Sequence, residues 1–276
     1  MAMDEREITR LISDFTLTDP RNAIPEMPGM AIFEEPLVAF AAANDPMYEE
    51  LKEEGVIGPH HLSPGLWLPG AKSVVSYFLP FSREVVASNR IEGMPSKEWY
   101  LSRYWGEEFN NALRDLIVDA IAKTGHRAVA PPRTDRFVML PTTSNWSERH
   151  TAYVAGLGTF CLSYSFITEK GCAGRFGSVI TDIPLPATPR TAASLMENCI
   201  YDDDGTCGDC IARCPAHAVT PEKKDHLTCM NFIAEKILAE YPQKYGNIYA
   251  GGCGKCQTAV PCARTNPFRR TKEATT

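Results

Sequence analysis

The chain has 276 residues, 44% of them hydrophobic, with a formal net charge of −6 and a pI near 5.6. That length and apolar content support one large or two ordinary folded domains and exclude a disordered chain. The acidic balance argues against a protein built to hold nucleic acid through phosphate contacts, and no run of about 18 apolar residues is present to span a membrane.

The charged start, Asp4-Glu5-Arg6-Glu7, has no apolar signal core, so a cytoplasmic location is expected. Residues 4–17 place Ile8, Leu11, Ile12 and Phe15 at helical spacing, predicting an amphipathic helix that Pro20 ends. Pro25, Pro28 and Pro36 make the next passage extended or turning. Pro46 suits the first turn of a short helix to Lys52, stopped by Gly55. His60 and His61, between Pro59 and Pro64, read as solvated loop histidines. Ser73 to Leu79 predicts a buried strand. From Ser96 to Lys123, Leu113, Leu116, Ile117 and Ile121 keep the spacing of a long helix capped by Gly125. Tyr100, Tyr104, Trp105 and Phe109 at its front read either as core or as an aromatic wall for a large planar cofactor. Phe137 to Leu140 predicts a short strand, and Ser144 or Asn145 caps a helix running to Ala155, which Gly156 and Gly158 end. Ser163 to Thr168 and Phe176 to Ile183 predict two strands joined by a glycine-bearing turn. No helix follows Gly171, Gly174 and Gly177, so they are not a dinucleotide loop. Pro184, Pro186 and Pro189 form a linker that divides an α/β region, 1–190, from residues 191–276. Asp225 to Tyr241 predicts a helix with Cys229 on its first turn.

Eight of the ten cysteines fall between Cys199 and Cys262. Cys207-x2-Cys210-x3-Cys214-Pro215 is the closing part of the bacterial ferredoxin run, whose last cysteine serves the other of two clusters. Two [4Fe–4S] clusters need eight soft, anionic thiolates. The interleaving assigns Cys199, Cys207, Cys210 and Cys262 to one cluster, and Cys214, Cys229, Cys253 and Cys256 to the other. Seven residues separate Cys199 from Cys207, where the ferredoxin run has two, and Pro261 precedes Cys262 instead of following it. Disulfides and two zinc sites are the alternatives; the Cys214-Pro215 ending favours iron–sulfur. Cys161 and Cys172 are left over and read as buried, unreactive thiols. Asp202 to Asp204 reads as a solvated turn.

The order of several motifs resembles one family. Residues 68–75, Leu68-Pro69-Gly70-Ala71-Lys72-Ser73-Val74-Val75, are similar to the proline-glycine-alanine-lysine-serine-valine segment of epoxyqueuosine reductases. Glu148-Arg149, then Ala155 to Gly158, then Ile180 to Leu185 resemble further landmarks of that family, as does the cysteine order with the isolated Cys229. The resemblance covers about residues 45–268 and extends to the reductive dehalogenases. It implies an α/β (α+β), nitroreductase-like cofactor-binding domain over residues 1–190. A bacterial ferredoxin-like double [4Fe–4S] domain would follow over residues 191–276. It further implies a base-off cobalamin before residue 190, fed with electrons by the two clusters. None of the six histidines lies in an Asp-x-His-x2-Gly setting, which is compatible with a corrinoid lacking a histidine ligand. By resemblance, Tyr104, Trp105, Thr142, Arg149, Gly156, Gly158 and Ser163 would face the cofactor. Tyr104 and Glu148 would be catalytic, Tyr104 as the proton donor.

The family's proton-donor aspartate stands six residues before the glutamate-arginine pair, where this chain has Thr142. A threonine hydroxyl cannot act as a general acid near neutral pH. The glycine-lysine-asparagine after the glycine-leucine-glycine turn is replaced by Cys161-Leu162-Ser163, and the repeat domain that holds tRNA in many family members has no counterpart. The expectation is therefore a cobalamin-dependent reductase acting on a small molecule and not on epoxyqueuosine in tRNA. Its electrons would come from a low-potential donor of ferredoxin or flavodoxin type, with no membrane or nucleic acid as partner. The alternative is an electron-transfer or reductive-activation protein that serves a corrinoid-protein partner and has no substrate of its own.

Overall fold

A computed structural model of the chain describes residues 3–268; residues 1–2 and 269–276, including the end of the 191–276 segment, lie outside the described residues. Helix α1, Glu5–Thr18, opens on a capping box in which the Asp4 carboxylate accepts from the Arg6 and Glu7 amides and Glu7 answers to the Asp4 amide. Its Ile8 and Ile12 are fully buried, and Phe15 meets Phe109 of the long helix at 5.1 Å. The proline-rich passage then yields a strand that the prolines concealed, β1, Leu37–Ala42. The short α2, Met47–Glu50, and α3, Pro64–Trp67, follow.

Strand β2, Ser73–Pro80, is buried at every residue. It sits inside a four-stranded antiparallel sheet, with β1 on one side and β6, Gly174–Thr181, on the other. The two-residue β3, Ala128–Val129, pairs with the far side of β6. Helices cover both faces of β2, which is why its sequence is a near-continuous apolar run without alternation. Val75, Tyr77 and Leu79 face the long helix α5, Lys97–Lys123, while Val74 joins Trp67 and Trp146 on the other side. Between β2 and α5, Ser82 caps the short α4, Arg83–Ser88, and Ser96 caps α5 through the Trp99 amide.

Three sequence expectations change here. Phe137 to Leu140 is not a strand; only an isolated bridge joins Met139 to Ser144. The Asn145 side chain replaces the ladder, accepting from the Val138 amide and donating to the Arg136 carbonyl. With Asn145 so occupied, α6 begins later, at Glu148–Val154, with Ser147 in the cap position. The stretch from Ser163 forms only β5, Phe166–Thr168, which pairs with β4, Gly158–Phe160. It does not pair with β6, which joins β2 instead.

The cysteine-rich segment is built of short pieces: α7, Ile200–Asp204, α8, Asp209–Ala212, and α9, His226–Phe232. A π turn, Ile233–Ile237, carries α9 into α10, Leu238–Lys244. Ile233, Ile237 and Tyr241 enter the same core as α5. The Tyr100 hydroxyl donates to the Ile248 carbonyl at 2.5 Å and that of Tyr241 to the Pro95 carbonyl at 2.6 Å. The buried Lys255 ammonium donates to the Asn89 carbonyl, the Asn89 Oδ1 and the Ile91 carbonyl. Gly171 lets the backbones touch: at φ +83° it lies so close to Ala263 and Arg264 that a Cβ would sit 2.5 Å from their backbone. No helix among the described residues is long and apolar enough to cross a membrane.

Candidate functional site

Helix α5 sends Arg103, Glu107, Asn110 and Arg114 down one face, at helical spacing, toward β6 and α6. Arg114 is almost completely buried, its side chain 3% exposed. It donates to Glu107 at 2.8 Å, to Asn111 at 2.9 Å and to Glu148 at 3.1 Å. Burial opposes its charge, but Glu148 and Glu107 outweigh that and hold its pKa above the ordinary value. Arg175 of β6 pairs with Glu107 and donates to the Arg103 carbonyl. Burial would raise Glu107, yet Arg175 and Arg114 hold it down at about 2.

Arg103 donates to the Gly251 carbonyl at 3.2 Å, and Arg149 of α6 donates to the Tyr164 carbonyl. Burial lowers the pKa of Arg149 and, together with Arg175, pushes Arg103 down to about 9. Arg175 Nε is buried without a partner. Arg103, Arg114 and Arg175 thus crowd around Glu107, while Arg149 lies near Arg103, with Cys253 felt at Arg103 and Cys161 and Cys256 at Arg149. Arg103, Arg149 and Arg175 form a partly buried cationic cluster, the recess, in an acidic protein.

The cysteines border it. All ten are free thiols. Cys161, Cys172, Cys199 and Cys214 are buried together, with Cys210, Cys229 and Cys262 packed against them. Burial and the neighbouring Cys256, Cys229 and Cys214 push the Cys253 thiol up to about 12. For Cys210 the neighbours are Cys161, Cys256, Cys199 and Cys207. No three of the described His, Cys, Asp and Glu side chains converge as ligands of one metal ion.

The remaining expected site residues scatter. Glu148 and Arg149 form no pair with each other: Glu148 turns inward, accepting from Arg114 and from the Ser178 hydroxyl at 2.5 Å, while Arg149 turns to the recess. Burial raises Glu148, and it faces the sheet. Tyr104 stacks edge-on with Trp105 at 5.0 Å, and the Trp105 indole donates to Glu26, toward the N-terminal segment. Thr142 stands in an exposed loop. Gly156 and Gly158 are glycines for packing: a Cβ would meet the Pro189 carbonyl at the first and the Ile167 backbone at the second. Ser163 is buried, its hydroxyl donating to that of Ser165. Sequence reasoning missed Arg103, Glu107, Arg114 and Arg175; the i, i+4, i+7, i+11 spacing of the polar α5 positions was the available signal. It also missed Tyr164, which adopts φ 53° and stacks on His226 at 5.1 Å, next to the helix bearing Cys229.

His61 is not a solvated loop histidine. It is 1% exposed, stacked on Trp146 at 5.7 Å, with neither ring nitrogen partnered. Burial pushes its pKa down to about 4. The unfolded chain takes up that proton near pH 6.5, so the folded state loses stability as pH falls from about 6.5 to about 4. His61→Phe, which keeps the stack, should therefore lose about 2 kcal/mol less than the unaltered chain between pH 7 and pH 5. Urea unfolding at the two pH values measures the difference.

No family model matches the chain. Among known proteins, the epoxyqueuosine reductase of Bacillus subtilis is 29% identical over 218 residues, covering 75% of this chain and 51% of that protein. That of Vibrio cholerae is 30% identical over 224 residues, covering 74% and 53%. The chain spans about half the length of these relatives. An epoxyqueuosine reductase solved with an epoxyqueuosine-modified tRNA-Tyr stem loop superposes with a TM-score of 0.52 at 21% identity, over 82% of this chain and 61% of that one. A B12-dependent reductive dehalogenase gives 0.56 at 16% identity, over 87% and 31%. These findings overturn two expectations, a small molecule in place of tRNA epoxyqueuosine and the exclusion of nucleic acid as a partner. The matched relatives are named for epoxyqueuosine, and one of the superposed proteins holds a tRNA stem loop. The physical error was to let a whole-chain charge of −6 stand for a local surface; the recess concentrates guanidinium groups that the sum conceals. In sequence the chain is similar to the epoxyqueuosine reductases, and it shares a fold with them and with the reductive dehalogenases.

Proposed function

We propose that the chain is a reductase of the epoxyqueuosine reductase type, acting on an epoxide borne by a tRNA nucleoside. The observation that carries this reading is the cationic recess of Arg103, Arg149 and Arg175 directly beside massed thiols. In it, Cys199, Cys207, Cys210 and Cys262 hold one [4Fe–4S] cluster, and Cys214, Cys229, Cys253 and Cys256 the other, within a ferredoxin-like segment. The donor set fits such clusters: soft thiols, none spent on a disulfide, with Cys253 neighboured by Cys256, Cys229 and Cys214 as the assignment requires. A ferredoxin- or flavodoxin-type donor supplies the electrons.

The family implies a corrinoid as well. The partnerless Arg175 Nε and the under-compensated guanidiniums fit a group rich in amide and phosphate oxygens. When bound, the corrinoid supplies a metal centre that passes electrons to the substrate. The chain's own residues do the rest. Arg149 and Arg103 bind and orient phosphate or amide oxygens at the recess. Glu107 spaces Arg103, Arg114 and Arg175 and favours their charged forms. Thr142 cannot donate the proton, so proton supply falls to Tyr104, a half-buried phenol of α5, on the family resemblance alone.

Anaerobically reconstituted protein, given reductant and tRNA that carries epoxyqueuosine, should return the nucleoside lacking one oxygen atom by mass spectrometry. Protein that retains iron and corrinoid yet neither binds nor converts that tRNA sinks the reading. Arg149→Ala should weaken tRNA binding and lower the slope of log affinity against log salt by about one.

A further inference from the structure

The loop between Cys253 and Cys256 carries a buried cation. Lys255 is 1% exposed, and its side chain donates to the Ile91 carbonyl at 2.7 Å, to the Asn89 Oδ1 at 3.0 Å and to the Asn89 carbonyl at 3.2 Å. All three acceptors are carbonyl oxygens, which cannot donate, so the group is the three-donor ammonium and not the neutral amine. Among the described residues no carboxylate pairs with it. Its charged neighbour is a second cation, Arg213, the residue before Cys214. Arg213 donates to the Lys255 carbonyl at 3.3 Å, to the Asn89 carbonyl at 3.3 Å and to the Ile91 carbonyl at 3.2 Å. The fully buried Asn89 amide also donates to the Cys253 carbonyl at 3.0 Å, which ties both cations to the cysteine loop.

Hydrogen bonding does not require a lysine here. Each acceptor keeps a donor without it: Arg213 reaches both backbone carbonyls, and the Ser96 amide holds the Asn89 Oδ1 at 3.0 Å. An apolar side chain of similar length would orphan no carbonyl and would avoid the cost of an unpaired buried charge. What only the lysine supplies is that charge. Cys207-Gly208-Asp209-Cys210 and Cys253-Gly254-Lys255-Cys256 share spacing and glycine but carry opposite charges, and Asp209 is exposed where Lys255 is buried. Water screens the aspartate; the interior screens the ammonium far less. A [4Fe–4S] cluster held by four thiolates is anionic and becomes more so when it takes an electron, so a fixed cation beside it favours the reduced form. Resting on the two-cluster reading above, we propose that Lys255, backed by Arg213, is the counter-charge of the cluster assigned to Cys214, Cys229, Cys253 and Cys256, and sets its reduction potential above that of the other cluster. One electron enters the cluster, and the lysine keeps its proton throughout. The same loop runs to the recess, where the Gly251 carbonyl accepts from Arg103 at 3.2 Å, so an electron that enters at the first cluster moves downhill toward the site.

The test uses full-length chain, reconstituted without oxygen, with iron and acid-labile sulfide assayed. Electron paramagnetic resonance follows the reduced clusters as the solution potential is stepped. The unaltered chain should titrate in two waves. Lys255→Met should still carry two clusters, with its higher wave moved down and its lower wave in place. The reduction constant of the moved wave should fall about tenfold, which is about 59 mV for one electron. Lys255→Arg, which keeps the charge, should keep the unaltered waves. Two unmoved waves in Lys255→Met would make the lysine a packing group, and the proposal falls. It falls equally if both waves move together, if Lys255→Met holds one cluster, or if Lys255→Arg shifts as far as Lys255→Met. Unaltered chain that binds no iron sinks the two-cluster reading itself. Should Lys255→Met not give folded protein by circular dichroism, Lys255→Gln is read by the same titration; if neither folds, the carbonyls need the ammonium and the proposal is overturned.

Discussion

Arg114→Met lowers the stability of the folded chain by about 3–5 kcal/mol, as expected when one partner of a buried ion pair is removed. The guanidinium is 3% exposed and holds Glu107 at 2.8 Å and Glu148 at 3.1 Å. Methionine fills much of its volume, so little of the loss comes from a cavity. The loss comes from Glu148, a carboxylate already raised by burial and then left with only the Ser178 hydroxyl. Combining Arg114→Met with Glu148→Leu should recover a large part of the stability, because the uncompensated charge is gone. Urea midpoints of the two single variants and the double variant measure the coupling. Additive losses would mean that the two residues do not act as a pair. Because Arg114 also steadies Glu107, the single variant should loosen Arg175 along with lowering stability.

Removal of iron from anaerobically loaded protein should open the stretch from Cys199 to about Ala218 to proteolysis and leave the sheet region intact. The stretch contains only the five-residue α7 and the four-residue α8, and neither buries an apolar residue. Without clusters, what orders it is a small buried group in which cysteines dominate. A cluster that binds the folded segment contributes its binding free energy to folding. Residues from Ile233 to Tyr241 should resist, because they share the main core with α5. Limited proteolysis with and without a chelator, read by mass spectrometry, checks this. An unchanged digestion pattern would show that the thiol-rich stretch is ordered without metal. Cys253→Ala should halve the iron content if Cys253 is, as proposed, a ligand of a second cluster.

Local chemistry made much of the fold legible. The apolar stripes of α1 and α5 and the buried run of β2 all came from short-range pattern. Strand β1 was hidden because proline spacing describes backbone freedom and says nothing of a neighbouring strand's need for a partner. The strand expected at Phe137 failed because one side chain, Asn145, took the hydrogen bonds a ladder would have used.

The site divides along the same line. Cysteine number and spacing are written in the chain and were enough to draw the ligand proposal. Glu148 and Arg149 are neighbours in sequence, yet one ends against the core and the other at the recess, since successive positions on a helix point about 100° apart.

The sequence by itself determined the secondary structure of the long elements, the thiol inventory and the kinship, because each rests on residue type and near-neighbour spacing. Tertiary structure alone decided that Arg103 and Arg149 lie together with Arg175, that His61 is buried and neutral, and that the Cys172 sulfur lies 3.8 Å from that of Cys262. Those arrangements depend on desolvation and on charges brought together from distant parts of the chain, and neither quantity exists until the chain has folded.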